Sequence, residues 1–513
     1  MRRIGFVLIL AVLALALVIP AMAQQETRYA VGVVFDDTNR NGLCDQGEKG
    51  LKDVRVSNGR SITMTDEKGS YRLPINDDTI IFVIKPSGWM VPVNADKQPL
   101  FFYIHKPKGS PKLKYQGVSP TGPLPLSVDF PLHRQNEPDR FTALFFGDSQ
   151  PTSTYDVRNL AHDVVDELIG SDAFFGVTLG DIVGDHLELY PTLVPVMGKI
   201  GVPWYYVKGN HDTNYDGAPG QDLTDETFER TFGPSYYSFD YGQVHFIAIN
   251  NPYFENARGY RAELSLKQMA FLRNDLAMVP NDQLVALMMH IPIIEMKDRK
   301  EIYKLLETRP NTFSISAHVH MQEHFFLDKE DGWNGPEPHH HLVNVTTCGS
   351  WWLGAVDELL IPHTTMRDGA PNGYSIITFD KNKYSIRFKA ARRPADHQMS
   401  IFVNTADAEK VEVTANVFAG SERSKVEIQM DGIGPWTPMA KTEDKDPYYV
   451  MMKKNEKGLK SQQGGLPDAQ TTSHLWRISL PKKNVLGTHL FQVRTTDMFG
   501  QTYTGNSVIT VTK

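Results

Sequence analysis

The sequence predicts an α/β domain set between two all-β domains, and three observations carry that prediction. Residues 27–133 hold strand-like runs separated by polar turns, with no helical period; residues 138–393 alternate short apolar runs with stretches of helical spacing; residues 397–513 return to strands. A chain of 513 residues is also long enough for about three folding units of ordinary size.

Ahead of these units, Arg2 and Arg3 precede an apolar run from Ile4 to Ile19, followed by Pro20 and Ala21-Met22-Ala23. This is the order of a secretory signal over residues 1–23, and it predicts an exported protein, periplasmic, cell-surface or secreted. An uncleaved N-terminal anchor is the competing reading, but the run is shorter than the roughly 20 residues that span a bilayer. No Cys follows the run, which argues against lipidation, and no transmembrane helix is expected after cleavage. The formal charge of −7 becomes more negative still without Arg2 and Arg3, so no nucleic-acid-binding surface is expected. Cys44 and Cys348 are the only cysteines, so no disulfide framework holds the chain together.

In the first β domain the strands are "YAVGVVFDD", "KDVRVSNG", "TIIFVIKP" and "LPLSVDFPL". The loop "DTNRNGLCDQGE" places Asp37, Asn39, Asn41, Gly42 and Glu48 on the spacing D-x-D/N-x-D/N-G-x5-E of a calcium loop, with Asp45 also available. Strands flank it, so it is not a helix-loop-helix site; it is either a calcium site in a β module or an Asn/Gly-rich turn without an ion. With "GLKDVRV" and "TDEKGSYRL" it is similar to the B-type β modules of bacterial surface adhesins. The polar stretch "HRQNEPDR", 133–140, marks the boundary with the central domain.

The central domain opens with the strand in "TALFFGD". A helix follows in "TYDVRNLAHDVVDELIG", where Val157, Leu160, Val164, Val165 and Leu168 share a face and Gly170 stops it. Then come the strand "FFGVTLGD", a helix over 187–199, the strand "PWYYVKGN", the hairpin-like "SYYSFDYGQVHFIAIN", the helix "LSLKQMAFLRNDLAMV" and the strands "QLVALMMH" and "TFSISAH". In layered α/β domains, ligands gather beyond the carboxyl ends of the strands. The residues there are Asp148 with Gln150; Asp181 with Asp185; Asn210, His211 and Asp212; His290; and His318 with His320. A single Asp or His in such a loop is ordinarily a cap or surface residue. Five strands that all end in oxygen and imidazole donors point instead to a metal site, since a two-metal centre needs a bridging carboxylate and about three further ligands per ion.

The order Asp148, "GDIVGD", "GNHD", His290 and "AHVH" resembles the calcineurin-like metallophosphoesterase superfamily across the whole central segment. With its flanking β domains, the chain looks like an exported bacterial member of the Bacteroides-type secreted phosphoesterases. The resemblance implies a four-layer α/β/β/α sandwich and two divalent metal ions, Mn, Fe, Zn or Mg. It implies Asp148, Gln150 and His320 at the first ion, Asp181 as the bridge, and Asn210, His290 and His318 at the second. His211 would face the scissile phosphate and assist the leaving oxygen, Asp212 would orient His211, and Asp185 would organise its loop. Two positions depart from the family pattern. Ala317 replaces a Gly, a small change, whereas Gln150 stands where a His is usual and offers a weaker, harder oxygen donor. That change favours Mn, Fe or Mg over Zn at the first ion.

Around this centre, Arg258, Trp351, Trp352 and Arg367 are candidates for contact with the substrate. His339, His340 and His341 read as a loop leading into the strand "LVNVTTCG", because three consecutive side chains cannot face one ion from a strand. The last domain, with "KVEVTANVFAG", "KVEIQMDG", "HLWRISLP", "THLFQVRTTDMFG" and "NSVITVTK", reads as a β-sandwich, and "KKNEKGLKSQQGG" reads as a loop within it. Together these features predict an exported metallophosphoesterase acting on a phosphorylated small molecule, lipid or glycan, by attack of a water or hydroxide held between two metals. The competing reading is a cell-surface binding protein built on the same scaffold.

Overall fold

Along the strand Arg140–Phe146, Phe141, Ala143 and Phe145 face one apolar layer while Leu144 and Phe146 face another, so the strand is buried on both sides. A computed structural model describes residues 27–215, 221–255 and 259–512. The predicted signal at 1–23 and Arg258 lie outside the described residues.

Two sheets form the middle of the central region. One runs in the order Trp204–Val207, Phe175–Leu179, Arg140–Phe146, Gly373–Asp380, Lys383–Ala390, the first three strands parallel. The other runs Tyr237–Tyr241, Val244–Ala248, Leu284–Met288, Thr312–Ser316, His339–Val343, Glu323–Leu327, with its four inner strands parallel. Phe175 of the first sheet meets Phe239 and Phe246 of the second edge to face. The helices Thr154–Leu160 and Tyr190–Met197 cover Leu144 and Phe146 on the outer face of the first sheet, and Leu266–Leu276 and Arg299–Leu306 pack against the core of the second. This is a four-layer α/β/β/α arrangement flanked by β-rich regions. Its first helix is shorter than its apolar spacing suggested: beyond Leu160 the coil widens to a π turn at Ala161–Val165 and then tightens over Asp166–Leu168. Among the described residues, no helix is long and apolar enough to cross a membrane.

The N-terminal strands form two four-stranded sheets, and they dock onto the central region through buried charges. Lys85, 2 % exposed, pairs with Glu137 at 2.6 Å and donates to the Asp240 carbonyl at 2.7 Å. The polar boundary at 133–140 is therefore anchored by Glu137. Arg55 donates to Asp240 at 2.6 Å and Asp275 at 3.2 Å, and these two carboxylates hold His245 from either side at 2.7 and 2.9 Å. Burial opposes protonation of His245, but Asp275 and Asp240 outweigh it and raise its pKa. A group bound more tightly to its proton in the folded state stabilises fully below its unfolded pKa, about 6.5, and loses that contribution as pH rises through the folded value. Stability is expected to decline above about pH 6.5 by up to about 1.4 kcal/mol per pH unit. Thermal melts of His245→Gln should lose that slope; an unchanged slope would assign it elsewhere.

Two expectations need correction. His339, His340 and His341 are not a loop but the buried start of the strand His339–Val343. Its parallel neighbour Thr312–Ser316 presents hydroxyls that meet both nitrogens of His339 (Thr312 at 2.9 Å, Ser314 at 2.7 Å) and of His341 (Ser314 at 2.7 Å, Ser316 at 3.0 Å), which offsets their desolvation. Burial pushes His339 down to about 3, so it is neutral. The lysine-rich stretch at 453–465 begins inside the helix Pro447–Asn455, and Glu456 after it accepts the backbone N–H of Ala355 and of Leu466. The C-terminal strands form a two-sheet sandwich around Val413, Trp476 and Phe491.

Candidate metal centre

Each candidate ligand group begins two or three residues beyond the end of a parallel strand, where the pleat gives way to a turn. Asp148 follows Phe146, Asp181 follows Leu179, Asn210 follows Val207, His290 follows Met288 and His318 follows Ser316. The turns are sharp. Gln150, Asp181, Asp185, His318 and His320 all have positive φ, between 39° and 77°, a conformation that costs non-glycine residues about 1–3 kcal/mol each and clusters at functional sites. Glycines make room beside them: a Cβ on Gly180 would fall 2.5 Å from His290 Nδ1, and one on Gly209 would fall 2.1 Å from the Asp181 nitrogen.

The structure brings Asp148, Gln150, Asp181, Asn210, His290, His318 and His320 together, and all but His318 are at most 4 % exposed. His290 donates through Nδ1 to the Leu179 carbonyl at 2.9 Å. Its Nε2 then faces Asn210 Oδ1 at 2.9 Å, His318 Nδ1 at 3.1 Å and Asp181 Oδ2 at 3.2 Å. His320 donates through Nδ1 to the Gly349 carbonyl at 2.6 Å and points Nε2 at Asp148 Oδ2, 3.0 Å away. Backbone carbonyls thus select the tautomer that turns a lone pair into the site. Burial opposes every charge here. Against it, Asp181 and Asp148 push His290 up to about 9, while His290 adds to burial in pushing His318 down to about 4. His320 and His290 hold Asp148 and Asp181, respectively, below the usual carboxylate range.

This donor set fits divalent cations. One proton on His290 Nε2 can serve only one of the three acceptors around it, whereas a cation serves all of them. Asp148 Oδ2 is buried without an aligned hydrogen bond. Ligand atoms of Asp181, His290 and His318 lie within 4.8 Å of one another. These would hold one ion with Asn210. Asp148, His320 and Gln150 would hold the other, with Asp181 between, and mixed N/O donors suit Mn, Fe or Zn. The Gln150 amide reaches Asp181 Oδ2 through Nε2 at 3.3 Å, with Oε1 3.9 Å from Cys348 Sγ; turning the amide over presents the oxygen instead. Gln150→His is expected to keep both ions bound and shift metal preference toward Zn, read as relative Zn and Mn content after exchange. An unmoved preference would mean that Gln150 is no ligand.

His211 stands at the rim with its side chain 34 % exposed. Its backbone N–H donates to Asp181 Oδ1 at 2.9 Å, and its Nε2 lies 3.9 Å from Asp181 Oδ2. Burial opposes its charge, but Asp181 and Asp185 raise it to about 9. The carboxylate on its ring is that of Asp185, 2.8 Å from Nδ1, and not that of Asp212. Asp212 is fully buried and turned the other way. It accepts the backbone N–H of Gly209 (2.8 Å), Ile182 (3.1 Å) and Val183 (3.2 Å) and the Tyr190 hydroxyl (3.0 Å), so it ties the two ligand loops together. Sequence spacing favoured Asp212 because it adjoins His211; neighbouring side chains in a turn point apart.

The two tryptophans also divide. Trp352 is buried and donates to the Ser149 carbonyl at 2.9 Å, so it supports the Asp148 loop from beneath and does not line the site. Trp351 is half-buried; its ring lies 4.1 Å from that of His320, with the Arg367 guanidinium 5.3 Å from its centroid. Arg367 also reaches the Val319 carbonyl at 3.4 Å, and its Nε is buried without a partner. Sequence reasoning missed Tyr260, whose ring meets His318 edge-on at 6.3 Å, and Tyr215, whose hydroxyl donates to the Asn210 carbonyl at 2.6 Å. Tyr215 lies five residues after Asn210, the one signal that pointed to it.

The calcium-loop residues are occupied with each other. Asn39 and Asn41 both donate to Asp45 Oδ2 at 2.8 Å, Asp37 accepts the backbone N–H of Asn41 and Gly42, and Glu48 accepts that of Thr38 and Asp45. In this structure the loop is closed by its own backbone and side-chain N–H groups.

Residues 38–116 match the family model for the N terminal of calcineurin-like phosphoesterase, residues 141–322 that for calcineurin-like phosphoesterase, and residues 341–503 that for its C terminal. No curated protein matches the chain. Among solved structures it is similar to a dimetal phosphatase from Danio rerio, with 14 % identity over 49 % of this chain and 96 % of that one and a TM-score of 0.35. A purple acid phosphatase from yellow lupin seeds shows 10 % identity over 71 % and 67 % of the respective chains, with a TM-score of 0.35. A metallophosphoesterase from Sphaerobacter thermophilus shows 13 % over 49 % and 89 %, with a TM-score of 0.23. Likeness at such scores carries no weight beside the three consecutive family matches.

Proposed function

Because this chain belongs to the calcineurin-like phosphoesterases, and is on that ground a metal-dependent phosphoester hydrolase, we propose that His211 protonates the leaving oxygen of a phosphate mono- or diester and that Asp185 orients it. The observation that carries this reading is the placement of His211. Asp185 engages Nδ1, so Nε2 faces the ligand cluster from its open side, and the backbone N–H is tied to Asp181. The seven candidate ligands would hold divalent ions, which would supply Lewis acidity toward phosphoryl oxygens and lower the pKa of water toward neutrality. Arg367, held over Trp351 beside His320, is suited to a further anionic oxygen of the substrate, and Trp351 to an apolar face of it.

Turnover of a generic aryl phosphate with added Mn, abolished by a chelator and restored by metal, is the expected result. No turnover of any mono- or diester with metals bound would favour the binding-protein reading. Substrate class is tested by a panel of phosphorylated metabolites, phospholipids and glycan phosphates. We also propose export, supported by the order of residues 1–23. Mass spectrometry of the protein from its native host should find Gln24 at the N-terminus, and a retained Met1 would overturn cleavage.

A further inference from the structure

The C-terminal sandwich meets the loop behind the catalytic centre at a buried carboxylate, that of Asp368. Asp368 is 1 % exposed and lies in the loop before the strand Gly373–Asp380. Its Oδ2 accepts the backbone N–H of Gln322 at 2.8 Å, two residues beyond His320, and lies 3.2 Å from His474 Nε2. Its Oδ1 accepts the Ala370 N–H at 2.9 Å, and its carbonyl accepts Asn416 Nδ2 at 2.9 Å. His474 Nδ1 in turn meets Asn416 Oδ1 at 2.7 Å. Both His474 and Asn416 belong to the sandwich, on the strands Thr471–Pro481 and Lys410–Val417, and both are 1 % exposed.

The residue beside Asp368 is Arg367, and the sandwich holds that backbone too: the Gln470 N–H donates to the Arg367 carbonyl at 2.9 Å. The approach is close enough to demand glycine next along. Gly369 has φ +87°, and a Cβ there would fall 2.2 Å from Asp446 Oδ2 and 2.6 Å from Asn416 Nδ2. The loop that carries the guanidinium over Trp351 is therefore held from the sandwich side at two successive residues, Arg367 and Asp368, with Gly369 packed closely beside them. A long, flexible side chain meets a ligand well only when its backbone is already placed, because the ordering entropy is then spent in folding and not in binding.

We propose that His474 and Asp368 are positioning residues of the active site, through which the C-terminal domain holds Arg367 and the His318–His320 loop in register for an anionic oxygen of the substrate. The domain is thus part of the catalytic unit. This rests on the reading of Arg367 as a substrate contact, and the test separates the two. Arg367→Ala, His474→Ala and the double variant are compared by steady-state kinetics on one phosphate ester, with metal content and thermal melts measured alongside. Loss of a hydrogen bond to a charged group corresponds to about a tenfold change, so KM in His474→Ala should rise about tenfold with kcat changed far less. In the Arg367→Ala background the same substitution should leave KM where it was, because residues acting through one another are not additive.

A purely structural role for His474 lowers the melting temperature and leaves KM unmoved, which overturns the proposal. So do KM effects that multiply in the double variant. If Arg367→Ala itself leaves KM unchanged, the substrate reading of Arg367 fails, and this proposal with it. Should His474→Ala not accumulate as folded protein, Asp368→Asn, nearly isosteric, carries the same cycle with the same two outcomes.

Discussion

Asp181→Asn is expected to slow phosphoester hydrolysis on the order of a thousandfold and to reduce bound metal below two ions per chain. The two oxygens of Asp181 do different work. Oδ1 accepts the His211 N–H at 2.9 Å, while Oδ2 faces His290 at 3.2 Å and the Gln150 amide at 3.3 Å, so this one side chain lies between both candidate ligand sets. Asn keeps the shape but removes the charge, and its amide would offer N–H groups either to His211 or to the ligand cluster, where lone pairs are needed. Its backbone, at φ 47°, is one that Asn tolerates, so the variant should fold. Metal analysis together with kcat decides the matter: two ions retained and activity within tenfold of the parent would show that Asp181 is not the bridge.

His211→Ala should show the second large effect, about 10²- to 10³-fold on an alkyl phosphate and much less on an aryl phosphate whose leaving group needs no proton. The dependence on the leaving group is the informative part, since a merely structural defect would slow both substrates alike. Asp185→Asn should reproduce the pattern in weaker form, because the Asp185 carboxylate lies 2.8 Å from His211 Nδ1 and directs the other nitrogen into the site. Asp212→Asn should behave differently. Its carboxylate accepts three backbone N–H groups and a tyrosine hydroxyl, so the loss belongs chiefly to folding, with a lower melting temperature and no preference between leaving groups. If Asp212→Asn were selective for poor leaving groups and Asp185→Asn neutral, the assignment made from geometry would have to be reversed.

The α/β layering between β-rich flanks and the seven candidate ligands are legible in the amino-acid order alone. The reason is that both are written in residue type and spacing. Short, nearly continuous apolar runs mark strands buried on two faces, and oxygen or imidazole donors just beyond five of them have few other uses in common. Donor chemistry made Gln150 stand out for the same reason. What needed the tertiary structure was direction. His211 and Asp212 are adjacent in sequence, yet one faces the open side of the cluster and the other binds backbone beneath it; Trp351 and Trp352 divide in the same way. Left-handed turns at Asp181, Asp185, His318, His320, Trp351 and Trp352 aim these side chains, and although Asp and His enter positive φ more readily than most residues, their type does not say which of them will. The histidine triplet was misread because its strand character depends on a ladder of hydroxyls about 25 residues earlier. Contacts between distant segments, such as Asp368 with His474, 106 residues apart, leave no trace in local spacing at all and are decided only when the domains pack.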